Sequence, residues 1–410
     1  MSLIVQKYGG TSVGSPERIR TVAERVAATR RSGHDVVAVV SAMGHTTDEL
    51  LALAGQVTER PAAHPRELDM LLTAGERISM ALLAMAICDA GASAVSMTGS
   101  QAAIITDEAH TGARIREVRA DRVRAELDAG RVVIVAGFQG VSTAREVTTL
   151  GRGGSDTTAV ALAAALRADV CEIFTDVDGI YTADPRKVEG ARRIEVVDYQ
   201  EMLELANAGA QVMHARAVEM GARYGVALRV RSSFRHDGDR GTLITRKEQG
   251  MEDLALTGIA TDGGYARLVL GGLPGGMAAT SRVLTALADA GVSVDMVMQA
   301  EESDGRRQLQ VTVREAQLDG ARRVIDPIVA EEGGAEPREQ GSLARVSLIG
   351  SGMTGRPGVY AQAYRTLMEA GVEVHGLSTS AISISLLVEE GAVAGAVQAL
   401  HAAFRLDEAA

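Results

Sequence analysis

The chain has 410 residues, 46% of them hydrophobic and 23% charged, which is typical of a soluble globular protein of two or three domains. Its formal net charge is −11 and aromatic residues make up 3%, so the composition argues against nucleic acid as a partner. Neither Cys88 nor Cys171 belongs to a CxxC pair, so we expect no disulfides. The longest apolar run, residues 80–88, is too short to span a bilayer. We therefore expect a cytoplasmic protein without a signal peptide or a membrane segment.

The first 230 or so residues alternate between strand and helix patterns. Leu3–Tyr8 alternates and ends at a glycine pair, and Ser15, Pro16 and Glu17 are typical of a helix start, which predicts a helix over Pro16–Arg31. Continuous apolar runs predict buried parallel strands. These runs are residues 36–40, 94–97, 132–136 and 170–174. The pattern predicts an α/β domain with a mainly parallel sheet.

A polar, glycine-punctuated segment at residues 238–253 marks a domain boundary. Beyond it the chain repeats: residues 286–294 match residues 366–374, with the glycines Gly291 and Gly371 separated by 371 − 291 = 80 positions. Each unit has the pattern of a strand, a glycine turn, a helix, an Ala-Gly turn and a strand, which predicts two small α/β units of one kind. The predicted domains are residues 1–245, 246–335 and 336–410.

The first motif with chemical meaning follows the first strand: Lys7, Tyr8, Gly9, Gly10, Thr11 and Ser12. Glycines at this place let backbone N–H groups approach an anion, which favours phosphate binding. The lysine precedes the glycines, so this is not the Walker pattern. A simple strand-to-helix turn is the alternative interpretation.

The second motif, residues 151–158, opens an apolar helix predicted over residues 159–166. Ser155 and Asp156 are compatible with ordinary helix capping, which stays an alternative here. Arg152 goes beyond that need, because a guanidinium beside a glycine turn can hold a substrate carboxylate.

The third motif, residues 174–186, begins at the carboxyl end of a predicted strand, where open α/β sheets place their ligands. A fourth, residues 73–77, has a glycine and an acid at the start of an apolar helix. No HExxH or Gly-x-Ser-x-Gly pattern is present, so zinc and serine hydrolysis are disfavoured and a nucleophile supplied by the substrate fits better.

Together these four motifs resemble the aspartate kinases of the amino-acid kinase superfamily, and the repeated units resemble the paired ACT domains of that family. The resemblance implies a three-layer, mainly parallel α/β kinase domain of the amino-acid kinase fold, followed by two ferredoxin-like ACT domains. It also implies MgATP-dependent phosphorylation of the L-aspartate β-carboxylate to 4-phospho-L-aspartate, the first step toward diaminopimelate, lysine, threonine and methionine.

The same resemblance assigns roles to single residues. Lys7 would contact the ATP phosphates, Asp156 would organise Lys7 and the phosphates, Arg152 would hold the aspartate α-carboxylate and Glu76 its ammonium group. Thr47 and Ser155 would add hydrogen bonds to the substrate. The nucleotide would be held by Lys7, Tyr8, Gly9, Gly10, Thr175, Asp176, Tyr181 and Arg186. Mg²⁺ would be bound through the ATP phosphates, and no metal site built from side chains is expected.

Regulation by lysine or threonine is left open, because the ACT units depart from the family pattern. The first has Gly275 where the family's proline-glycine turn is expected, and His375 stands where asparagine is common. The candidate effector-binding residues are Met277, Ala279, Gln299, Val359, Glu373 and Val374. Met251 is a candidate internal start for a separate regulatory chain, which predicts an α2β2 assembly, with a homo-oligomer as the alternative.

Two other functions stay open at this stage. The kinase fold could act on a related substrate such as glutamate, an N-acylated amino acid or a nucleoside monophosphate. The chain could also be an ACT-based amino-acid sensor with an inactive kinase domain. A dehydrogenase is disfavoured, because Gly9 and Gly10 do not form a GxGxxG fingerprint.

Overall fold

The structure is a computed structural model that describes residues 2–210, 212–235, 238–247, 256–353 and 358–408. The chain forms two compact units. The first comprises Met1–Tyr181, Arg193–Asn207 and Gln211–Gly250, and the second comprises Thr182–Arg192, Ala208–Ala210 and Met251–Ala410. The short segment 182–192 thus belongs to the second unit although it lies within the sequence of the first.

The described residues of the first unit form twelve strands and eight α-helices. The strands are β1 (Leu3–Tyr8), β2 (Asp35–Val40), β3 (Ala94–Met97), β4 (Ile104–Thr106), β5 (Ile115–Val118), β6 (Val132–Ala136), β7 (Gln139–Ser142), β8 (Val147–Thr149), β9 (Val170–Thr175), β10 (Val196–Val197), β11 (Leu228–Ser232) and β12 (Thr242–Ile244). The helices are α1 (Pro16–Arg31), α2 (Thr46–Val57), α3 (Pro65–Leu72), α4 (Ala74–Asp89), α5 (Asp121–Asp128), α6 (Gly154–Leu166), α7 (Tyr199–Asn207) and α8 (Ala215–Tyr224).

The main sheet of this unit has eight strands in the order β10-β12-β11-β9-β1-β2-β6-β3. All neighbouring strands are parallel except β11 and β12, which confirms the predicted mainly parallel sheet. The apolar runs form its central strands because they are buried on both faces. A smaller sheet with the order β5-β4-β7-β8 was not predicted from the sequence.

Helices cover both faces of the main sheet, as a three-layer fold requires. On one face α1 and α4 pack on the sheet through buried residues such as Val26 and Leu83, and on the other face α6 packs against β1 and β2. The start of α1 is as predicted: the Ser15 hydroxyl accepts a hydrogen bond from the Arg18 N–H, and Glu17 lies in the first turn.

Within the described residues, the helical stretch Pro65–Asp89 is long and apolar enough to cross a membrane by length and composition alone. It includes the apolar run of residues 80–88. Half of its most apolar window is buried inside the structure, as in a core helix, so this test is weak evidence for a membrane span.

The described residues of the second unit form six strands and four α-helices. These are β13 (Gly258–Leu273), α9 (Ala278–Asp289), β14 (Val294–Glu301), β15 (Arg307–Arg314), α10 (Leu318–Glu331), β16 (Arg338–Ile349), α11 (Val359–Glu369), β17 (Gly376–Thr379), β18 (Ser383–Glu389) and α12 (Val393–Ala403). All six strands join one antiparallel sheet in the order β14-β15-β13-β16-β18-β17.

The repeat predicted from the sequence is visible in this order. Each repeat runs strand, helix, strand, strand, helix, and the first strands of the two repeats, β13 and β16, are neighbours in the middle of the sheet. The segment 182–192 contributes Ala183 and Val188 to the core of the second repeat. The boundary between the two repeats at residues 335/336 stays a prediction.

Candidate active site

A cavity of about 300 Å³ lies in the first unit, beside residues that follow the carboxyl ends of β1, β2 and β6. The parallel register explains the place, because Tyr8 lies opposite Val40, and Val40 opposite Ala136. The residues after these strand ends therefore meet at one edge of the sheet. The cavity is lined by Lys7, Gly10, Ser41, Ala42, Gly44, Thr47, Glu76, Phe138, Gly151, Arg152, Gly153, Gly154, Ser155 and Asp156.

Lys7 and Asp156 form an ion pair in this cavity. The Lys7 Nζ lies 2.7 Å from Asp156 Oδ1, and the two side chains are 12% and 11% exposed. Lys7 belongs to β1, and Asp156 lies in the first turn of α6, whose backbone N–H groups also favour an anion. The pair thus places a fixed cation next to a helix N-terminus.

Helix α6 begins at Gly154, five residues before the predicted start at residue 159. Its N-cap is Gly153, in a left-handed conformation with φ of 72°, and no side chain caps the helix. Ser155 and Asp156 are therefore inside the helix rather than capping it, which removes the capping interpretation of this motif. A Cβ at Gly153 would lie 2.2 Å from the ring of His214, so the loop and α8 can approach this closely only with glycine there.

Glu76 is a third charged group of the cavity and is only 3% exposed. Its Oε1 accepts a hydrogen bond from the Ala42 N–H at 3.1 Å, while its Oε2 is buried without a partner among the described residues. Burial raises the pKa of Glu76 to about 7. A buried carboxylate oxygen without a donor suits a ligand that carries positive charge or an N–H group.

Arg152 is exposed and lies between two glycines with positive φ, Gly151 and Gly153. No hydrogen bond or ion pair involves its guanidinium in the part of the chain that the structure describes, so all its donors are available to a ligand. Thr47 at the start of α2 and Ser155 in α6 also line the cavity. All substrate and catalytic residues predicted from the sequence thus surround one cavity.

The predicted nucleotide-binding residues are only partly brought together. Gly10 lines the cavity, and the neighbouring Gly9 N–H donates to the Phe174 carbonyl at 3.2 Å. The Tyr8 side chain is fully buried, stacks on the Phe174 ring with centroids 4.8 Å apart, and donates its hydroxyl hydrogen to Gln6. Strand alternation points Tyr8 to the face opposite Lys7, so its side chain is not available to a nucleotide and only its backbone could serve.

Three further predicted residues, Thr175, Asp176 and Tyr181, lie at or after the end of β9 and do not line the cavity. The Thr175 hydroxyl donates to Asp176 Oδ1 at 3.0 Å. The Tyr181 hydroxyl donates to Asp178 at 2.9 Å, and burial together with this carboxylate raises the pKa of Tyr181. Arg186 lies in the segment of the second unit, with an 88% exposed side chain that pairs with Asp184.

Sequence reasoning missed several lining residues: Ser41, Ala42, Gly44 and Phe138. A signal for them exists, since they directly follow the apolar runs that form β2 and β6, and parallel strands end at a common edge. The sequence also gave no sign that Gly75 is closely packed. A Cβ there would lie 2.8 Å from the Ala42 Cβ, so glycine lets the start of α4 bring Glu76 to the cavity.

The candidate effector residues are spread over the second unit. Met277 is 68% exposed before α9, whereas Ala279 and Val359 are buried. Gln299 is exposed on the edge strand β14, Glu373 is exposed, and Val374 packs on the core of the second repeat. Met251 lies outside the described residues.

Comparisons with known proteins agree with this architecture. A sequence model described as the amino acid kinase family matches residues 2–232, and an ACT domain model matches residues 346–404. The chain is 51% identical to the aspartokinase of Mycolicibacterium smegmatis over 413 residues, which cover 99% of this chain and 97% of that one. It is 47% identical to the aspartokinase of Geobacillus stearothermophilus, over 100% of this chain and 99% of that one.

Among solved structures, the chain is similar to E. coli aspartokinase III in complex with aspartate and ADP. The TM-score is 0.78 at 25% sequence identity, covering 98% of this chain and 99% of the other. The similarity to curated and solved proteins thus extends over both units.

Proposed function

The chain belongs to the aspartokinases of the amino acid kinase family, and we propose that its cavity aligns L-aspartate with the terminal phosphate of ATP. As an ATP-dependent aspartate kinase it transfers a phosphoryl group to the β-carboxylate and forms 4-phospho-L-aspartate for amino-acid biosynthesis. Four charged side chains line the cavity, and their contacts support a role for each in this reaction: Lys7, Glu76, Arg152 and Asp156.

The chemistry requires little acid or base catalysis. The β-carboxylate of aspartate has a pKa of about 4 and is already ionised at neutral pH, so the nucleophile needs no general base. The enzyme must bring the carboxylate in line with the phosphoryl group and neutralise the charge that both carry. Lys7 is the cation for this task, and the ion pair with Asp156 holds its ammonium group in place.

The amino-acid substrate is read at its two charged ends. The Arg152 guanidinium pairs with the α-carboxylate, and Glu76 Oε2 accepts from the α-ammonium group. The observation that carries this proposal is that Oε2 is buried without a partner among the described residues, in a cavity that Arg152 and the Lys7–Asp156 pair also line. Thr47 and Ser155 supply further hydrogen bonds. An acylated nitrogen carries no positive charge, so substrates of that kind would leave the Glu76 carboxylate without an ion-pair partner and are disfavoured.

For the nucleotide, the backbone at Gly9 and Gly10 cradles the phosphates, with the Tyr8 backbone beside them; the donor is the Gly10 N–H, because the Gly9 N–H donates to the Phe174 carbonyl. Thr175, Asp176 and Tyr181 hold the remainder of ATP. Mg²⁺ bound by the ATP phosphates neutralises part of their charge. The carboxylate beside the phosphate-binding Lys7 is Asp156, which lines the same cavity.

Regulation and assembly are proposed from the second unit. The second unit has the ACT repeat, and E. coli aspartokinase III has been solved with lysine and aspartate, so we propose lysine or threonine as effectors. The effector would contact Met277, Ala279, Gln299, Val359, Glu373 and Val374. The enzyme would be cytoplasmic, as a homo-oligomer or an α2β2 assembly.

The α2β2 assembly requires a second start at Met251, which would give a chain of 410 − 250 = 160 residues. Expression of the intact gene with a C-terminal tag should yield two tagged polypeptides, and Met251→Leu should remove the shorter one. A single polypeptide from the intact gene would contradict the internal start.

The reaction is tested by trapping the acyl phosphate with hydroxylamine in the presence of MgATP. Hydroxamate should form with L-aspartate and not with L-glutamate, and Lys7→Ala serves as the blank. Lysine and threonine, added separately and together, test the effectors in the same assay. Folded, ATP-binding protein that forms no hydroxamate with either substrate would favour the amino-acid sensor or a kinase with another substrate.

A further inference from the structure

A second buried carboxylate, Asp69 on α3, lies outside the cavity lining and has no role in the function proposed above. Its side chain is fully buried and makes hydrogen bonds with three residues. His110 Nδ1 lies 2.7 Å from Oδ2, the Thr111 N–H lies 3.0 and 3.2 Å from the two oxygens, and the Thr149 hydroxyl lies 2.5 Å from Oδ1. The Thr111 N–H and the Thr149 hydroxyl donate to it, and the His110 ring supplies the third contact.

The elements that meet at Asp69 lead directly to the two groups that read the substrate. Helix α3 ends at Leu72, and the next helix, α4, carries Glu76 in its first turn. Strand β8 ends at Thr149, and the chain continues through Leu150 and Gly151 to Arg152. One buried carboxylate therefore joins the segment that carries Glu76 to the segment that carries Arg152.

The segment between β4 and β5 completes this junction. Thr111 has a positive φ of 64°, a costly conformation for a residue with a branched side chain, and its N–H is fixed by Asp69. Its carbonyl oxygen lies 3.1 Å from the position that a Cβ of Gly151 would occupy. The strained Thr111 thus packs against the loop that carries Arg152.

Arg216 of α8 also links the β4–β5 segment to the loop that carries Arg152. Its guanidinium donates to the Leu150 carbonyl at 2.9 Å and to the Ala113 carbonyl at 2.7 Å. The Arg152 loop is therefore held by polar contacts at its base, while the Arg152 guanidinium makes no hydrogen bond within the described residues. Contacts of this kind fix the backbone position of a ligand-binding residue and leave its side-chain donors available to the ligand.

We propose that Asp69 is a positioning residue that sets the separation between Glu76 and Arg152 and thereby the fit of the cavity to an α-amino acid. The proposal rests on the roles given to Glu76 and Arg152 in the proposed function. Asparagine in place of Asp69 has the same shape but replaces one carboxylate oxygen by an NH₂ group, which cannot accept from the Thr111 N–H that contacts both oxygens. At least one bond is then lost, and the Arg152 loop shifts relative to Glu76.

The test uses full-length Asp69→Asn in the hydroxamate assay, with KM measured for aspartate and for ATP. A misplacement of about 1 Å at a binding group costs up to about 10²-fold in rate, so kcat/KM for aspartate should fall by about ten- to a hundredfold. The KM for ATP should change by less than about twofold, because the phosphate-binding residues are held by other contacts. Thermal melting of each variant monitors folding.

Two variants of Thr149 keep the test decisive if Asp69→Asn does not fold. Thr149→Val removes one of the bonds to Asp69 while keeping the shape of the side chain, and should raise the KM for aspartate selectively. Thr149→Ser keeps the hydroxyl and should restore the wild-type value. A purely structural role would lower the melting temperature of Thr149→Val without a selective change in the KM for aspartate.

Glu172→Gln is the matched control for replacing a buried carboxylate by an amide. Glu172 is 5% exposed and accepts from Gln6 at 3.0 Å and from Arg231 at 2.9 Å, on the face of the sheet opposite Lys7. The Glu172→Gln variant should be less stable than wild type without a selective change in the KM for aspartate. An unchanged KM for aspartate, or equal changes for aspartate and ATP, in folded Asp69→Asn or Thr149→Val would overturn the proposal. A wild-type enzyme that forms no hydroxamate would instead reject the proposed function itself.

Discussion

Replacing Glu76 by glutamine should stabilise the ligand-free protein at high pH and at the same time weaken aspartate binding. Both effects come from one carboxylate that is 3% exposed and has one oxygen without a partner among the described residues. Burial of this group raises its pKa from an ordinary value of 4.5 to about 7. The amide keeps the shape of the side chain and cannot ionise.

The size of the stability effect is set by the two pKa values. Between pH 4.5 and about 7 the unfolded chain has lost the Glu76 proton while the folded chain retains it. The free energy of unfolding therefore falls by about 1.4 kcal/mol per pH unit across this window. Above pH 7 the accumulated penalty is constant at about 3 kcal/mol, and below pH 4.5 it is absent. Glu76→Gln removes this penalty, so its advantage over wild type should be several times larger at pH 8 than at pH 5.

Aspartate binding should change in the opposite direction. The substrate ammonium group attracts the ionised form of Glu76, so the wild-type KM for aspartate should fall as the pH rises through about 7. A hydrogen bond between charged groups contributes about 1.5–3 kcal/mol, so Glu76→Gln should raise the KM for aspartate by about 10- to 100-fold and remove its pH dependence near 7. The KM for ATP should be unaffected.

The measurements are urea unfolding of both proteins at pH 5 and pH 8, and hydroxamate kinetics between pH 6 and pH 8.5. A stability difference between the two proteins that is the same at pH 5 and pH 8 would refute the burial argument. A KM for aspartate that is equal in the two proteins would remove Glu76 from substrate recognition, even if the stability result is as expected.

Two further substitutions test the remaining charged groups of the cavity. Lys7→Ala should lower kcat by about 10²- to 10³-fold, because a fixed cation on the transferring phosphoryl group is lost, with folding checked by circular dichroism; near-normal turnover would exclude Lys7 from the mechanism. Arg152→Ala should raise the KM for aspartate by at least about tenfold with little change in the KM for ATP or in melting temperature, since Arg152 is exposed and unpaired within the described residues. Equal effects on both substrates would indicate a structural role for Arg152.

The central sheet could be predicted from the sequence because its strands are buried on both faces. The runs at residues 36–40 and 132–136 contain only apolar residues, and that pattern has few other interpretations. The smaller sheet could not be predicted in the same way. Its strands have three or four residues each and mix polar with apolar side chains, so no periodicity develops.

The start of α6 shows why part of a helix can be missed in the sequence. Residues 154–158 are glycine, serine, aspartate and two threonines, which are typical of loops and caps. In the structure they are buried helical residues, because Asp156 is paired with Lys7 and the threonine hydroxyls donate to backbone carbonyls. Intrinsic preference is overridden where the side chains have a partner elsewhere in the fold.

Residues proposed to bind the substrate are easier to find in a sequence than residues proposed to position those binding groups. Lys7, Glu76, Arg152 and Asp156 belong to short motifs with unusual composition, so they are visible in the sequence. Asp69 is an ordinary acid in a helical segment, and its hydrogen-bond partners come from positions 110, 111 and 149. No local pattern indicates these contacts, because a buried carboxylate is satisfied by whatever donors the fold brings to it. Only the folded chain shows that one side chain links the helix start that carries Glu76 to the loop that carries Arg152.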